Sequence, residues 1–388
     1  MQSTSALNLL ATAAVTLLLA FGSAAFAAEP VTGEVRDGVL RIELLPPGRD
    51  NARNSEGDFI QLKDGRLLLV YTHFTGGAGD HSKAYLAGRY SDDGGQSWTG
   101  EDTTILPNEG GMNVMSVSLL RLADGRIAMF YLRKNSKEDC RPFVRTSDDE
   151  AKTWSEPVAV VPDERAGYYV LNNDRVIQID SGRLVVPLAL HFDATSKKWD
   201  PNARQLCYLS DDAGKTWTRG SEAPAPDPLA GKPVVTQEPG VVPLKDGRLM
   251  LYCRTSAGSQ YVAYSTDEGE AWSKLEPSNI VSPLSPATIE RVPSTGDLAL
   301  VWNDHRDVDP ALRGKRTPLR IAVSTDDGET WSRTKTLEND PDGWYCYTAL
   351  EFVGEHVLLA YCAGDRRKNN GLAMTRVARL PLDWTEED

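Results

Sequence analysis

Six stretches of this chain set arginine, carboxylate, amide or tyrosine side chains beside strongly apolar runs. The first holds Arg53, Glu56, Asp58, His73, Asp80 and His81, and the second Asn113, Ser116 and Arg133. Asn172, Asn173, Asp174, Arg175 and His191 follow, then Gln237, Glu238 and Arg254. The last two hold Glu290, Asn303, Asp304, His305, Arg306 and Arg316, then Trp344, Tyr345, Tyr347, Asp365 and Arg366. A guanidinium grips a carboxylate through two parallel bonds and cannot lose its charge. Paired carboxylates serve glycoside hydrolysis. Where a sugar carries its own carboxylate at the anomeric carbon, a carboxylate nucleophile is repelled, and a Tyr deprotonated by a Glu avoids that repulsion. The set therefore points to an anionic sugar. Any one of these residues is equally well explained as loop polarity, so the argument is their convergence.

Convergence needs a scaffold, and a repeat supplies it. Ser-x-Asp-x-Gly-x-x-Trp occurs in full at Ser91–Trp98, Ser210–Trp217, Ser265–Trp272 and Ser324–Trp331. A further copy at Ser147–Trp154 has Ala151 in place of Gly. One chance match is expected on the order of once per few hundred thousand positions. The serines are 56, 63, 55 and 59 residues apart, a period that marks a repeat architecture. Upstream of each apolar run lies a short turn: Asp64-Gly65-Arg66, Asp124-Gly125-Arg126, Ser181-Gly182-Arg183, Asp246-Gly247-Arg248, Thr295-Gly296-Asp297 and Gly354-Glu355-His356. Asp-Gly between apolar runs is a hairpin signal. In the longer motif the Ser and Asp side chains can accept backbone N–H bonds, Gly takes the left-handed position, and Trp packs on the sheet with its indole N–H seeking a partner.

Two hairpins per period make a four-stranded unit, and six such units predict an all-β, six-bladed β-propeller. The alternating run Gly38–Leu44 is expected to supply the outer strand of the sixth blade and so close the ring. Tight turns then share one face, and the groups named above gather at the opposite mouth.

Net charge is −13, which argues against a nucleic-acid surface. The apolar stretch Ala6–Ala28, with Ala25-Phe26-Ala27 as a cleavage signal, reads as a signal peptide over 1–27 despite lacking a basic n-region. The expected mature protein is one propeller domain, 28–388, secreted or periplasmic, free of the membrane and monomeric. The five cysteines leave at least one unpaired within a monomer. Cys253 and Cys362 read as small buried hydrophobes, and a Cys140–Cys207 bridge between neighbouring blades is one option. No clustered Cys/His zinc pattern is present.

With these residues in view, the chain resembles the sialidase (neuraminidase) superfamily, whose Asp box is the repeated motif. The resemblance covers essentially the whole chain after the leader, although the Asp box itself is shared with non-enzymatic propellers. Gln237-Glu238-Pro239-Gly240 followed by Tyr-Cys-Arg254 resembles the run that pairs the Glu base with the second arginine of a carboxylate-binding triad. Arg316-Thr-Pro-Leu-Arg320 resembles the run from the third arginine, with Arg316 preferred because Arg320 falls inside a strand. Tyr345-Cys-Tyr347-Thr-Ala-Leu resembles the nucleophile segment, with Tyr347 the better match. Asp80 is placed like the acid/base aspartate. The family's first-blade Arg-Ile-Pro is missing: the chain reads Arg53-Asn54-Ser55-Glu56-Gly57-Asp58. Either Arg53 reaches the site or Glu56 occupies the place. Asn173 and Arg175 are further substrate-binding candidates, within the run Asn172–Arg175 that has no counterpart in the catalytic set.

The resemblance implies an exo-acting, retaining hydrolase releasing a terminal α-linked sialic acid or related acidic sugar, with no metal or organic cofactor and a glycan as its partner. Two alternatives stand beside it: a hydrolase or lyase of uronic sugars on the same propeller, and a non-catalytic glycan-binding propeller.

Overall fold

The four strands of Arg53–Leu106 are typical of the whole molecule: the middle strands are buried on both faces and the outermost is wet. Leu67–Phe74 is buried at seven of eight positions, whereas Thr103–Leu106 is buried only at Leu106. A strand covered on both faces needs a nearly continuous apolar run, and an edge strand does not. The computed structural model describes residues 28–385, so the leader expected over 1–27 lies outside the described residues.

The protein is an all-β propeller. Its strands pair into five hydrogen-bonded sheets: one of five strands, one of nine and three of four. The four-stranded sheets run Arg53–Leu106, Thr236–Val281 and Thr288–Glu338. In the nine-stranded sheet, the strands of Asn113–Ala159 and those of Gly167–Arg219 are joined by Gly167–Val170. That strand lies antiparallel to Leu184–Asp193 and meets Cys140–Ser147 through the single parallel pair Tyr168 and Cys140. In the five-stranded sheet, Val39–Leu45 pairs with Thr375–Pro381, as the closing strand was expected to, and Glu34–Arg36 adds one strand beyond it. Among the described residues, helix is confined to short 3-10 turns.

The core lies between sheets. Leu68 and Val70 pack with Val117 and Met129, and Val242 and Tyr252 with Leu298 and Leu300. The five cysteines are all buried free thiols, and no Cys140–Cys207 bridge exists. Each of those two lies in a different apolar cluster, which keeps the thiols apart.

The repeated motif forms a hydrogen-bonded turn. Ser91 Oγ accepts from Gly95 N at 2.9 Å, and Asp93 Oδ1 accepts from the backbone of Gln96 and Ser97. Two consecutive residues of each turn take positive φ, at Gly94–Gly95, Glu150–Ala151, Ala213–Gly214, Glu268–Gly269 and Asp327–Gly328. Ala151 holds this conformation at φ 63° without being glycine. One expectation is corrected here. The indole N–H groups of Trp98, Trp217, Trp272 and Trp331 are buried with no acceptor, because the ring is sunk among aliphatic side chains of the sheets.

The innermost strands share a second device. Each of four is interrupted by a bulge, and the bulged residue has positive φ: Glu56, Ser116, Glu238 and Tyr347. A bulge re-aims a side chain out of the strand's alternation. Asp174, at φ 56°, adopts the same conformation between Gly167–Val170 and Ile177–Gln178.

Candidate active site

These bulges bring polar groups to one place. Tyr347 Oη donates to Glu238 Oε1 at 3.1 Å, and Arg254 Nη2 lies 2.8 Å from the same oxygen. Asn172 donates to Glu238 Oε2 at 3.3 Å, so the carboxylate is held at both oxygens. Arg316 sits 5.4 Å from the centre of the Tyr347 ring. Burial and the Glu238 charge push the Tyr347 phenol well above its ordinary range, while Arg254 and Arg316 pull it down. A phenol in that state keeps its proton at rest, and its hydroxyl donates that proton to the hydrogen bond with Glu238.

The alternatives left by the sequence resolve. Tyr345 packs in the core with its ring edge-on to Tyr361, so Tyr347 is the tyrosine of the site. Arg320 bonds Asp304 at 2.8 Å, so Arg316 is the available arginine. Arg254 Nε and Nη1 and Arg316 Nη1 are buried with no partner in the protein.

Arg53 and Glu56 are both present. Arg53, 1% exposed, gives Nη2 to Glu56 at 2.5 Å, Nη1 to Asp80 at 2.5 Å and Nε to Ser55 at 2.7 Å. Glu56 Oε2 accepts from Ser116 Oγ at 2.8 Å. Burial raises the Glu56 carboxyl above its ordinary range, partly opposed by Arg53. Asp80 goes the other way: against the effect of burial, the Arg53 guanidinium holds it below the usual carboxylate range. The Asp80 side chain is 59% exposed, within reach of a ligand.

The run Asn172–Arg175 splays to four destinations. Asn172 reaches Glu238, and Asn173 Nδ2 donates to the carbonyls of Gly57 and Tyr347 at 2.9 and 3.1 Å. Asp174 accepts from Leu350 N at 3.0 Å. Arg175 donates to Ala287 O at 2.7 Å and to Thr288 Oγ1 at 3.2 Å, and that hydroxyl in turn donates to the carbonyl of Thr348. Arg175 is thus not brought to the tyrosine hydroxyl, because its guanidinium is spent on the carbonyls of Asp174 and Ala287 and the hydroxyl of Thr288.

Several groups of the site escaped sequence reasoning. Cys346 stands opposite Cys362 across paired strands. Burial would raise its thiol, but the Cys362 thiol and Arg316 bring it down to about 7. A cleft of about 500 Å³ beside Asp80, Glu238 and Arg254 is walled by Tyr168, His191 and Trp199. Trp199 stacks on His191 with ring centres 4.7 Å apart. A usable signal did exist for the bulges: Glu56, Ser116 and Glu238 each stand nine residues before the turn glycines Gly65, Gly125 and Gly247.

The fold and this cluster define a propeller of the sialidase superfamily. A family model described as a BNR repeat-like domain matches residues 103–357, and the chain belongs to that family. It is 26% identical over 381 residues to the anhydrosialidase of Macrobdella decora, covering 88% of this chain and 47% of that protein. To the sialidase of Micromonospora viridifaciens it is 27% identical over 409 residues, covering 93% and 60%. The chain thus spans about half to three-fifths of the length of these relatives. Among solved structures, a protein of unknown function from Dyadobacter fermentans shares the fold at TM-score 0.69 and 18% identity, over 89% of this chain and 100% of that one.

Proposed function

We propose that this propeller is an exo-acting, retaining glycosidase that releases a terminal α-linked sialic acid or related acidic sugar. The observation that carries the reading is the 3.1 Å contact between Tyr347 Oη and Glu238 Oε1, with Arg254 on the same carboxylate. In the first step Tyr347 Oη bonds to the anomeric carbon as its proton passes to Glu238. The glycosidic C–O bond breaks, and the leaving oxygen takes a proton from the protonated form of Asp80, a form that acid conditions favour because, against burial, the Arg53 guanidinium holds this carboxyl low. In the second step Asp80 takes a proton from water, the water oxygen displaces Tyr347, and Glu238 returns the phenolic proton. The positive charge of Arg254 and Arg316 opposes the substrate carboxylate. The sialidases among the relatives support the substrate class.

The blade count belongs to the same proposal. Taken as two units that meet at Tyr168 and Cys140, the nine-stranded sheet makes six blades with the other four sheets. Residues 28–388 then form one domain behind an export leader at 1–27, secreted or periplasmic. Mass spectrometry of the exported protein would show a chain starting near Ala28, and an intact N-terminus would sink the leader.

One observation favours a second reading, a hydrolase or lyase of uronic sugars. Glu56 is a buried carboxylate beside Arg53, and a negative group there disfavours a carboxylate on the anomeric carbon, whereas a uronic sugar carries its carboxylate elsewhere on the ring. The test is a panel of fluorogenic sialosides and uronosides. The expected result is sialoside turnover, abolished in both Tyr347→Phe and Glu238→Ala. Turnover of uronosides alone selects the second reading. Binding of glycans with no turnover of either leaves a lectin-like propeller, and full activity of both variants removes the mechanism.

A further inference from the structure

We propose that Arg366 is a further anion-binding guanidinium of this site, acting beside Arg316 to supply the positive charge that Arg53, engaged by its own carboxylates, does not offer. The inference deepens the glycosidase reading and rests on it for the identity of the anion, the carboxylate of the substrate sugar.

Arg53 has nothing left to give a ligand. All three of its nitrogens are engaged by Ser55, Asp80 and Glu56, and its side chain is 1% exposed. Its charge is matched by two carboxylates at 2.5 Å. Arg316, whose side-chain partner is the Cys346 thiol, and Arg366 still hold open N–H groups. Their guanidinium carbons lie 5.3 and 4.3 Å from the centre of the Trp344 ring, so one indole carries two cations. Arg316 Nη1 and Arg366 Nε are buried without a hydrogen-bond partner. Neither guanidinium has an ion pair among the described residues, whereas Arg367, the next residue, has two. Asp342, the carboxylate whose charge acts on Arg366, stands 3.9 Å from Lys315 Nζ.

Placing two guanidinium groups against one ring costs free energy through mutual repulsion and lost hydration. Burial, and then the Arg316 charge, lower the proton affinity of Arg366, which is the same repulsion in another guise. An anion between the two removes the repulsion and fills the open N–H groups, and the planar fork of each guanidinium suits a carboxylate. The backbone fixes the arrangement. Trp344 is paired across the sheet with Gly364, two residues before Arg366. A side chain at Gly371 would strike Trp344 at 2.8 Å, so the loop after Arg366 closes tightly over the ring.

The experiment compares turnover of a fluorogenic sialoside as the free acid and as its methyl ester, which lacks the charge. Arg366→Ala is expected to lower kcat/KM for the free acid about 10- to 100-fold, chiefly through KM, and to change the ester less than about 3-fold. Arg366→Lys should recover part of the preference for the acid. Equal losses on acid and ester, or no change on either, overturn the proposal. Calorimetric titration with free N-acetylneuraminic acid and glucuronic acid separates this from the catalytic reading. Binding to the wild type that Arg366→Ala weakens, with no turnover of any sialoside, sinks the hydrolase and keeps the clamp. Absence of binding to the wild type, or equal binding to both proteins, overturns the clamp.

Discussion

Asn173 is wholly buried, and its amide ties the carbonyl of Tyr347 to that of Gly57 on the adjoining strand. It is a positioning residue for the tyrosine. Asn173→Ala leaves two buried carbonyls short of a donor, and Asn173→Asp sets an acceptor against them. A loss of about 1–3 kcal/mol in stability is expected for the alanine variant, and more for the aspartate. Chemical denaturation measures the stability, and kcat should fall with KM nearly unchanged. A kcat equal to wild type would show that the tyrosine does not need the tie. Roles of this kind were not legible in the sequence. That Tyr347, Glu238, Arg254 and Arg316 come together was legible, because each sits in a local run whose spacing survives folding. Asn172–Arg175 was opaque because four adjacent side chains leave in four directions, and only the packing of other strands sets those directions. Arg53 was ambiguous for the same reason: its partners Glu56 and Asp80 are placed by a bulge and a loop.

At the scale of the element, the hairpin motif was read correctly as a turn, with Ser and Asp as acceptors. Its second left-handed residue was not foreseen, since Ala213, Glu268 and Asp327 carry no mark of it in their types. The copy with Ala151 tests the backbone argument. Ala at φ 63° is strained where Gly is not, so Ala151→Gly is expected to stabilise the protein by roughly 0.5–1 kcal/mol after the greater freedom of the unfolded glycine is subtracted. Gly95→Ala is the converse: its new Cβ would lie 2.3 Å from a Leu358 methyl carbon, and a loss above about 1 kcal/mol is expected. Thermal unfolding of the two variants side by side decides the matter. A destabilised Ala151→Gly would mean that the alanine methyl, buried in a neighbouring apolar cluster, contributes more than the strain costs.

For the whole molecule, the channel opposite the candidate site holds Asp58, Asp174, Glu290 and Glu351. Burial, and then the Asp174 charge, push Glu351 from 4.5 up to about 7, and burial also raises Asp58 and Glu290. A carboxyl whose folded pKa lies above its unfolded value is more protonated in the native state between those two values. Its protonation therefore favours folding at low pH, and that contribution is lost as pH rises toward 7. For Glu351 alone the effect is on the order of 3 kcal/mol. The motif aspartates Asp149, Asp212 and Asp326, pushed down to about 2, oppose this trend only in stronger acid. Melting temperature should rise from pH 8 to pH 5.5, and Glu351→Gln should raise it at pH 8 and flatten the profile. A wild-type melting temperature that falls over that interval would count against the channel argument.

The closing sheet has a consequence in time. Thr375 Oγ1 donates to the carbonyl of Asn54, 321 positions earlier, and Asn54 adjoins Arg53. Val39–Leu45 has no neighbour on that side until Thr375–Pro381 has been synthesised. During translation the early strands must wait, with an open edge, for a partner made some three hundred residues later. The cluster around Tyr347 therefore cannot close before Thr375–Pro381 has left the ribosome, however well the earlier sheets have folded.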